Sequence, residues 1–213
     1  MKNYLFDFDG TLVDSMPTYV SSMLRILDEN SISYGEDIVK IITPLGLSKT
    51  ADYYISLGVK LSREEILAKM LEYMTEAYEN RIVAKPYVPE ILRALHERGD
   101  KLHVLTASPH TSLDPCLKRL GLYSLFDNVW SCDDFCTTKA DPEIYRMAAE
   151  RIGAPIGEIL FLDDNLNADA TAKSAGMRVC GVFDESSREY TEEMRALADF
   201  YIEDFSSLPQ IEF

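Results

Sequence analysis

The sequence predicts an α/β fold: a three-layer core built on a Rossmann-like parallel sheet, with an inserted all-helical domain. After residue 86, short apolar runs alternate with helical segments of about ten residues, which is typical of parallel βαβ units with right-handed crossovers. Only one strand-like run precedes a long stretch of helical periodicity, so this stretch interrupts the core. The predicted domains are the α/β core, 1–14 and 86–213, and the helical insert, 15–85.

The first predicted strand is the apolar and aromatic run at 3–8, which is followed by Asp-Gly and therefore enters a loop. The insert that follows is helical in three segments. In the clearest one, 62–81, Ser62 and Glu65 have the spacing of a capping box, and apolar residues recur every three or four positions. The other two helices are expected at 16–30 and 48–57.

The second part of the core alternates helices and strands. Several of its predicted helices end at glycine, and two begin at proline, which are the residues that favour those helix ends. The strands are short apolar runs between these helices. Helices are expected at 89–99, 112–120, 142–153 and 167–176, and strands at 101–108, 127–131, 158–164, 177–182 and 199–204.

The composition describes an acidic globular chain. Its 213 residues are 46% hydrophobic and 27% charged, which allows one sizeable core with a smaller domain and argues against wholesale disorder. The formal net charge of −15 repels nucleic acid and anionic membranes, and no basic run reverses it locally. We therefore predict no nucleic-acid or membrane partner, and a phosphate site would need positive charge from a metal, lysine or backbone N–H groups.

The first ten residues predict a cytoplasmic protein. They contain acids at positions 7 and 9, where a secretory signal would be apolar, and no stretch of the chain reaches about 18 apolar residues. The four cysteines have neither the density of a disulfide framework nor the spacing of a zinc site, so we expect free thiols. The sequence leaves the oligomeric state open.

Four segments carry side chains suited to metal and phosphate chemistry at predicted strand ends, where open α/β sheets bind ligands. Two acids spaced i, i+2 lie on one side of an extended chain and disfavour each other unless a cation is near. A hard divalent ion such as Mg²⁺ would resolve the crowding of four acids at one rim. The alternative is that each acid only stabilises a turn or a helix start. The segments are Asp7-Phe8-Asp9-Gly10-Thr11, Thr106-Ala107-Ser108, Lys139 and Asp163-Asp164.

These segments resemble, in order, the four motifs of the haloacid dehalogenase-like hydrolases. FDFDGTLVDS (6–15) resembles the D-x-D-G-T motif, and HVLTAS (103–108) is similar to the second motif, a hydrophobic strand ending in Thr or Ser. Lys139 in KADPEIY resembles the third-motif lysine, and FLDDNLNADATAKSAGM (161–177) resembles the acidic fourth motif. The insert stands where the branch with phosphoglycolate phosphatase and β-phosphoglucomutase has a helical cap.

The resemblance implies a role for each matching residue. Asp7 would be the nucleophile that forms an aspartyl-phosphate, and Asp9 the general acid and then the general base. Lys139 would neutralise the nucleophile and the developing charge. Asp7, the main-chain carbonyl of Asp9, and Asp164 would hold Mg²⁺, with Asp163 assisting.

The resemblance also implies substrate contacts. Thr106 and the N–H of Ala107 would bind the phosphoryl oxygens, with Ser108 beside them, and Gly10 would leave room for the phosphate to approach. Lys49, in the segment PLGLSKT, lies where related enzymes carry a specificity loop. It is a candidate substrate contact, and the alternative is a solvated lysine at a helix start.

Two further features refine the expected chemistry. Relatives that displace halide lack an acid at the position of Asp9, because no leaving oxygen needs a proton, so dehalogenation is not expected. Relatives commonly have proline directly after the motif-three lysine, and this chain has Ala140 there, with Pro142 retained. Since that proline only stiffens the turn, we expect Lys139 to keep its role.

The predicted function is a Mg²⁺-dependent phosphatase that hydrolyses a small phosphomonoester. One alternative is a sugar phosphomutase of the β-phosphoglucomutase type, because contacts from the cap decide whether water or sugar accepts the phosphoryl group. A second, of a different class, is a non-catalytic protein that binds a phosphate ligand. The presence of the nucleophile, the acid and the lysine argues against the second alternative.

Overall fold

The computed structural model describes residues 1–42 and 45–213 and divides into two compact units. The α/β unit comprises Met1–Asp14 and Val83–Phe213, and the helical unit comprises Ser15–Ile82. The helical unit ends at residue 82, whereas the sequence predicts that it ends at residue 85. The two ends differ because Val83–Ala84 pair antiparallel with Val13–Asp14 and so belong to the α/β unit.

The described part of the α/β unit has a six-stranded sheet whose neighbouring strands all run parallel. The strand order is β5-β4-β1-β6-β7-β8, and together with the flanking helices it confirms the predicted α/β fold. The short pair β2 and β3 forms a separate ladder. In chain order the strands are β1 (Asn3–Phe6), β2 (Val13–Asp14), β3 (Val83–Ala84), β4 (Lys101–Thr106), β5 (Asn128–Ser131), β6 (Ile159–Asp163), β7 (Arg178–Val182) and β8 (Phe200–Ile202).

The helical unit contains four α-helices in its described residues. Its longest helix begins with the predicted capping box: Glu65 N–H donates to Ser62 Oγ at 3.2 Å, and Ser62 N–H donates to Glu65 Oε2 at 2.7 Å. The apolar residues of that helix are buried at helical spacing. The helices are α1 (Met16–Glu29), α2 (Ile38–Ile42), α3 (Gly46–Ser56) and α4 (Arg63–Asn80).

The helices of the α/β unit connect the parallel strands. Two of them end where glycine predicted an end, because Gly153 and Gly176 adopt positive φ values of 78° and 107° at the helix termini. None of the described helices is both long enough and apolar enough to cross a membrane. The helices are α5 (Val88–Glu97), α6 (His110–Arg119), α7 (Pro142–Ile152), α8 (Leu166–Ala175) and α9 (Thr191–Leu197).

The centre of the sheet determines where the loops meet. Strand β1 lies between β4 and β6, with Phe6 opposite Val104 on one side and Leu162 on the other. Strand β6 is buried along its whole length, as expected for an inner parallel strand covered on both faces. The carboxyl ends of β1, β4 and β6 are therefore adjacent, and the loops that follow them share one edge of the sheet.

Candidate active site

Asp7 is the first residue after β1 and stays attached to the sheet. Its N–H donates to the carbonyl of Leu162 at 2.8 Å, which continues the pairing of β1 with β6 beyond Phe6. The carboxylates of Asp7, Asp163 and Asp164 each offer an oxygen, and these oxygens lie within 4.8 Å of one another. We call these three residues the acid cluster.

The acid cluster is shielded from solvent and contains more negative than positive charge. Asp7 is 6% exposed, Asp163 is fully buried and Asp164 is 9% exposed. The ammonium of Lys139 donates to Asp7 Oδ1, and to Asp163 Oδ2 at 2.9 Å. When all three carboxyl groups are ionised, the one ammonium leaves an excess of two negative charges. Because the atoms of the acid cluster that could bind a metal are all carboxylate oxygens, the cluster fits a hard divalent cation such as Mg²⁺.

The electrostatics of the cluster follow from burial and crowding. Burial raises the pKa of Asp7 to about 7; Lys139 opposes this rise, and Asp163 and Asp9 add to it. Burial also raises the pKa of Asp164 well above its ordinary value, with contributions from Asp163 and Asp7. Burial lowers the pKa of Lys139, but the same two neighbours outweigh it and hold that pKa above its ordinary value. Lys139 is therefore a cation, but its single positive charge does not keep the pKa values of Asp7 and Asp164 in their ordinary range.

Asp9 is held by the loop that follows β4. Ser108 Oγ donates to Asp9 Oδ2 at 2.5 Å, and Ser108 N–H donates to Thr106 Oγ1 at 3.0 Å. The Ser108 hydroxyl, which we had expected beside a phosphate, thus contacts the second acid of the first motif. Thr106 is buried, whereas Ala107 is exposed. Since Thr106 Oγ1 accepts a hydrogen bond here, its own proton can be donated elsewhere.

Gly10 and Thr11 bring the first loop against Asp164. Gly10 has a φ of +78°, and a Cβ atom at this position would lie 2.5 Å from Asp164 Oδ2. Thr11 Oγ1 donates to Asp164 Oδ1 at 3.0 Å. Only glycine therefore allows the backbone to come this close to the carboxylate. Thr11 belongs to the first motif, but its contact with Asp164 was not predicted from the sequence.

The loop that carries Lys139 has Ala140 directly after the lysine, and side-chain contacts hold it. Asp141 Oδ1 accepts from Glu143 N–H at 2.9 Å and so begins α7. The hydroxyl of Tyr145 lies 3.1 Å from the carbonyl oxygen of Lys139 and 3.1 Å from that of Ala168. Tyr145 thus connects the lysine loop to α8, a contact that the sequence pattern did not indicate.

Lys49 is not part of this cluster. It lies on α3 in the helical unit and is exposed to solvent, so its role as a substrate contact stays a prediction. Pro44, the first residue of the segment predicted as a specificity loop, lies outside the described residues.

Asp169, on the first turn of α8, is a buried acid that was not predicted as a site residue. Its side chain is fully buried, and neither carboxylate oxygen has a hydrogen-bond partner in the described part of the chain. Burial raises its pKa well above the ordinary value, with further contributions from Asp163 and Asp164. Its unpartnered oxygens are a local cost to the fold.

Comparisons with known proteins agree with the architecture. Residues 4–182 match the family model described as haloacid dehalogenase-like hydrolase. The phosphorylated carbohydrates phosphatase of Thermotoga maritima is 28% identical over 186 residues, which cover 85% of this chain and 85% of that protein. The phosphoglycolate phosphatase of Salmonella typhimurium is 29% identical over 208 residues, covering 85% of this chain and 81% of that protein.

A solved structure is similar over the whole chain. A Thermotoga maritima protein described as a candidate β-phosphoglucomutase has a TM-score of 0.87 and is 25% identical, and the match covers 100% of both chains. The match to the family model includes β1 from Tyr4 onward, the strands β2 to β7, and the acid cluster with Lys139. The chain therefore belongs to the haloacid dehalogenase-like hydrolase family.

Proposed function

We propose that this hydrolase is a Mg²⁺-dependent phosphatase that hydrolyses a small phosphomonoester through an aspartyl-phosphate on Asp7. The observation that supports this best is the contact of one lysine, Lys139, with both Asp7 and Asp163 inside a buried cluster of acids. An ammonium at this position opposes the rise in the pKa of Asp7 and offsets the charge of an arriving phosphate. The phosphatase names of the similar proteins from Thermotoga maritima and Salmonella typhimurium support the same reaction class.

In the first step, a carboxylate oxygen of Asp7 attacks phosphorus while the bond from phosphorus to the ester oxygen breaks. Asp9 gives its proton to the departing oxygen, so an alcohol leaves and Asp9 becomes a carboxylate. The hydrogen bond from Ser108 to Asp9 Oδ2 orients this carboxyl group. Thr106 and the N–H of Ala107 bind the phosphoryl oxygens.

In the second step, water attacks the phosphorus of the aspartyl-phosphate. Asp9, now a carboxylate, takes a proton from that water, and the bond from phosphorus to the Asp7 oxygen breaks. Inorganic phosphate leaves, and Asp7 and Asp9 return to their starting states. Two distinct carboxylates are needed because one becomes esterified while the other moves protons.

The acid cluster would hold Mg²⁺ through Asp7, Asp164 and the main-chain carbonyl of Asp9, with Asp163 assisting. Bound Mg²⁺ supplies positive charge that stabilises the phosphoryl group as it is transferred. The excess of two negative charges in the cluster is the property of this chain that makes a divalent cation suitable.

The substrate class that we propose is a small phosphorylated metabolite, such as a sugar phosphate or a phosphorylated hydroxy acid. The test is phosphate release from a panel of such metabolites, with Mg²⁺ and with a chelator. We expect release from at least one metabolite with Mg²⁺ and little with the chelator. No release from any member, with tight binding of one of them, would instead support a non-catalytic phosphate-binding protein.

A sugar phosphomutase is the second candidate, because a candidate β-phosphoglucomutase matches the chain over its full length. This reaction uses the same Asp7 and Asp9, but sugar rather than water accepts the phosphoryl group from Asp7. Isomerisation of a hexose phosphate with little free phosphate would support the mutase. Stoichiometric release of phosphate without isomerisation would support the phosphatase.

A further inference from the structure

Lys85 lies directly after β3 and joins the first loop to the loop after β7. Its ammonium donates to the carbonyl oxygen of Gly10 at 2.5 Å, to that of Phe183 at 2.6 Å and to Asp184 Oδ2 at 2.9 Å. An ammonium group has three protons, and these three acceptors use all of them. The side chain is only 14% exposed. Lys85 is therefore held in one place rather than moving freely in solvent.

The contact with Gly10 sets the orientation of a peptide beside the acid cluster. The peptide between Gly10 and Thr11 is planar, so fixing its carbonyl toward Lys85 also fixes the direction of the Thr11 N–H. The backbone adds a second attachment, because Lys85 N–H donates to the carbonyl of Leu12 at 3.0 Å. The residues directly after Asp9 are thus fixed from one side by Lys85.

Both residues of this peptide also lie against Asp164. Gly10 approaches so closely that a Cβ atom would overlap the Asp164 carboxylate, and the Thr11 hydroxyl donates to Asp164 Oδ1. A displacement of Gly10 and Thr11 would therefore disturb both contacts. Lys85 and Asp164 therefore contact the same short segment of the first loop, directly after Asp9.

Lys85 also pairs with a further acid near the cluster. Asp184 is 5% exposed and accepts from Ser186 N–H at 2.9 Å and from Lys85. Its negative charge contributes to the high pKa of Asp164. A test of Lys85 must separate this neutralisation of Asp184 from the placement of Gly10.

We propose that Lys85 is a positioning residue of the active site, whose ammonium sets the Gly10–Thr11 peptide against Asp164 and so fixes the loop that carries Asp9. Its effect on turnover rests on the proposed phosphatase function. Asp7 and Asp9 perform the chemistry. Lys85 acts on them indirectly, through the backbone of Gly10 and Thr11.

The experiment compares three variants with the wild type. Lys85→Met keeps the length of the side chain but removes all three hydrogen bonds. Lys85→Met combined with Asp184→Asn also removes the acid that the first change leaves without its lysine. Lys2→Met is the control, because Lys2 also donates to a main-chain carbonyl, that of Ile211, at 2.6 Å and is similarly shielded at 21% exposure. Lys2 precedes β1 and so lies at the opposite end of that strand from Asp7.

Steady-state kinetics with the metabolite that the wild type hydrolyses gives the first result. We expect kcat to fall by about 10-fold or more in both Lys85 variants, with KM changed by less than about threefold, since misplaced catalytic groups slow the chemical step. Lys2→Met should keep wild-type kcat. Recovery of kcat in the double variant would overturn the proposal, because Lys85 would then only neutralise Asp184. An equal loss in Lys2→Met would also overturn it.

Carbon-13 NMR gives a second result that does not require turnover. The carbon-13 signals of the Gly10 carbonyl and the Asp164 carboxyl group should both shift in the two Lys85 variants. Neither signal should shift in Lys2→Met. A shift at Gly10 without one at Asp164 in the double variant would contradict the positioning role. If the wild type released no phosphate, the proposed function would fail while this arm still tested Lys85.

Discussion

Thr11 Oγ1 donates a 3.0 Å hydrogen bond to Asp164 Oδ1, and the two residues are 153 positions apart in the sequence. This bond joins the loop after β1 to the end of β6. Together with the contact of Lys139 with Asp7 and Asp163, it holds the acid cluster from two sides. Several properties of the protein should depend on these few buried contacts.

Replacing Thr11 with valine should destabilise the protein by about 1–2 kcal/mol, because the shape is kept while a buried carboxylate oxygen loses its donor. The free energy of unfolding in urea measures this. Thr171→Val is the control, since the Thr171 hydroxyl donates to the carbonyl of Asn167 at an exposed position. The control should change stability by less than about 0.5 kcal/mol, and equal losses in both variants would contradict the importance of the buried bond.

Replacing Gly10 with alanine should cost more stability than the same change at Gly153. Both glycines have a φ of +78°, so the backbone strain of about 1–2 kcal/mol is common to the two variants. A Cβ at Gly10 would overlap the Asp164 carboxylate, whereas one at Gly153 would meet nothing within 4 Å. Urea unfolding should show at least about 1 kcal/mol more loss for Gly10→Ala. Similar losses would mean that Asp164 moves aside freely.

Without divalent cations, stability should fall as the pH rises from about 4 to about 7. The pKa of Asp7 is about 7 in the folded protein, above its ordinary value of 3.8, because burial disfavours the charge. The folded state then binds more protons than the unfolded state in this window, so the free energy of unfolding falls by up to about 1.4 kcal/mol per pH unit. Asp7→Asn should reduce this slope, and so should Mg²⁺, which stabilises the ionised cluster. A slope that neither changes would contradict the assignment.

Asp169→Asn should stabilise the protein increasingly as the pH rises above about 4. Burial raises the pKa of Asp169 well above its ordinary value, so the native residue loses folding stability as the pH rises, and asparagine does not titrate. Asp199→Asn should act in the opposite direction. Burial raises the pKa of Asp199, but hydrogen bonds from Lys173 and Val179 outweigh it and lower that pKa, so its carboxylate stabilises the fold above the ordinary pKa. Unfolding in urea at several pH values measures both, and the same sign in both variants would contradict these assignments.

The sheet could be predicted from the sequence because its inner strands are continuous apolar runs between helices of clear periodicity. The ladder of β2 and β3 could not, because each strand has two residues, too few for any alternation to show. Because of this ladder, the helical unit ends at residue 82 and not at the predicted residue 85. The separate helix α2 was missed for a related reason, since its five residues complete little more than one turn.

The gathering of Lys139 with the acid cluster could be predicted because the spacing of these residues matches the family motifs. The contacts that hold them could not, since a hydrogen bond such as that of Tyr145 to the carbonyl of Lys139 leaves no pattern in the sequence. Lys85 is a similar case, because a lysine before proline has no marked periodicity or motif. The contact of Ser108 with phosphate stays a prediction. The hydrogen bond from the Ser108 hydroxyl to Asp9 could not be predicted, because it too leaves no pattern in the sequence.

The central claim, that Asp7 forms a covalent bond to phosphorus, can be tested on the Asp9→Asn variant with an aryl phosphate. The aryl leaving group needs no protonation, whereas hydrolysis of the intermediate still needs the base, so the phosphorylated enzyme should accumulate. Acid quenching followed by peptide mass spectrometry should locate one phosphoryl group on Asp7, and the Asp9→Asn variant that also carries Asp7→Asn should show none. A phosphoryl group on another residue, or turnover that persists in Asp7→Asn alone, would contradict the account.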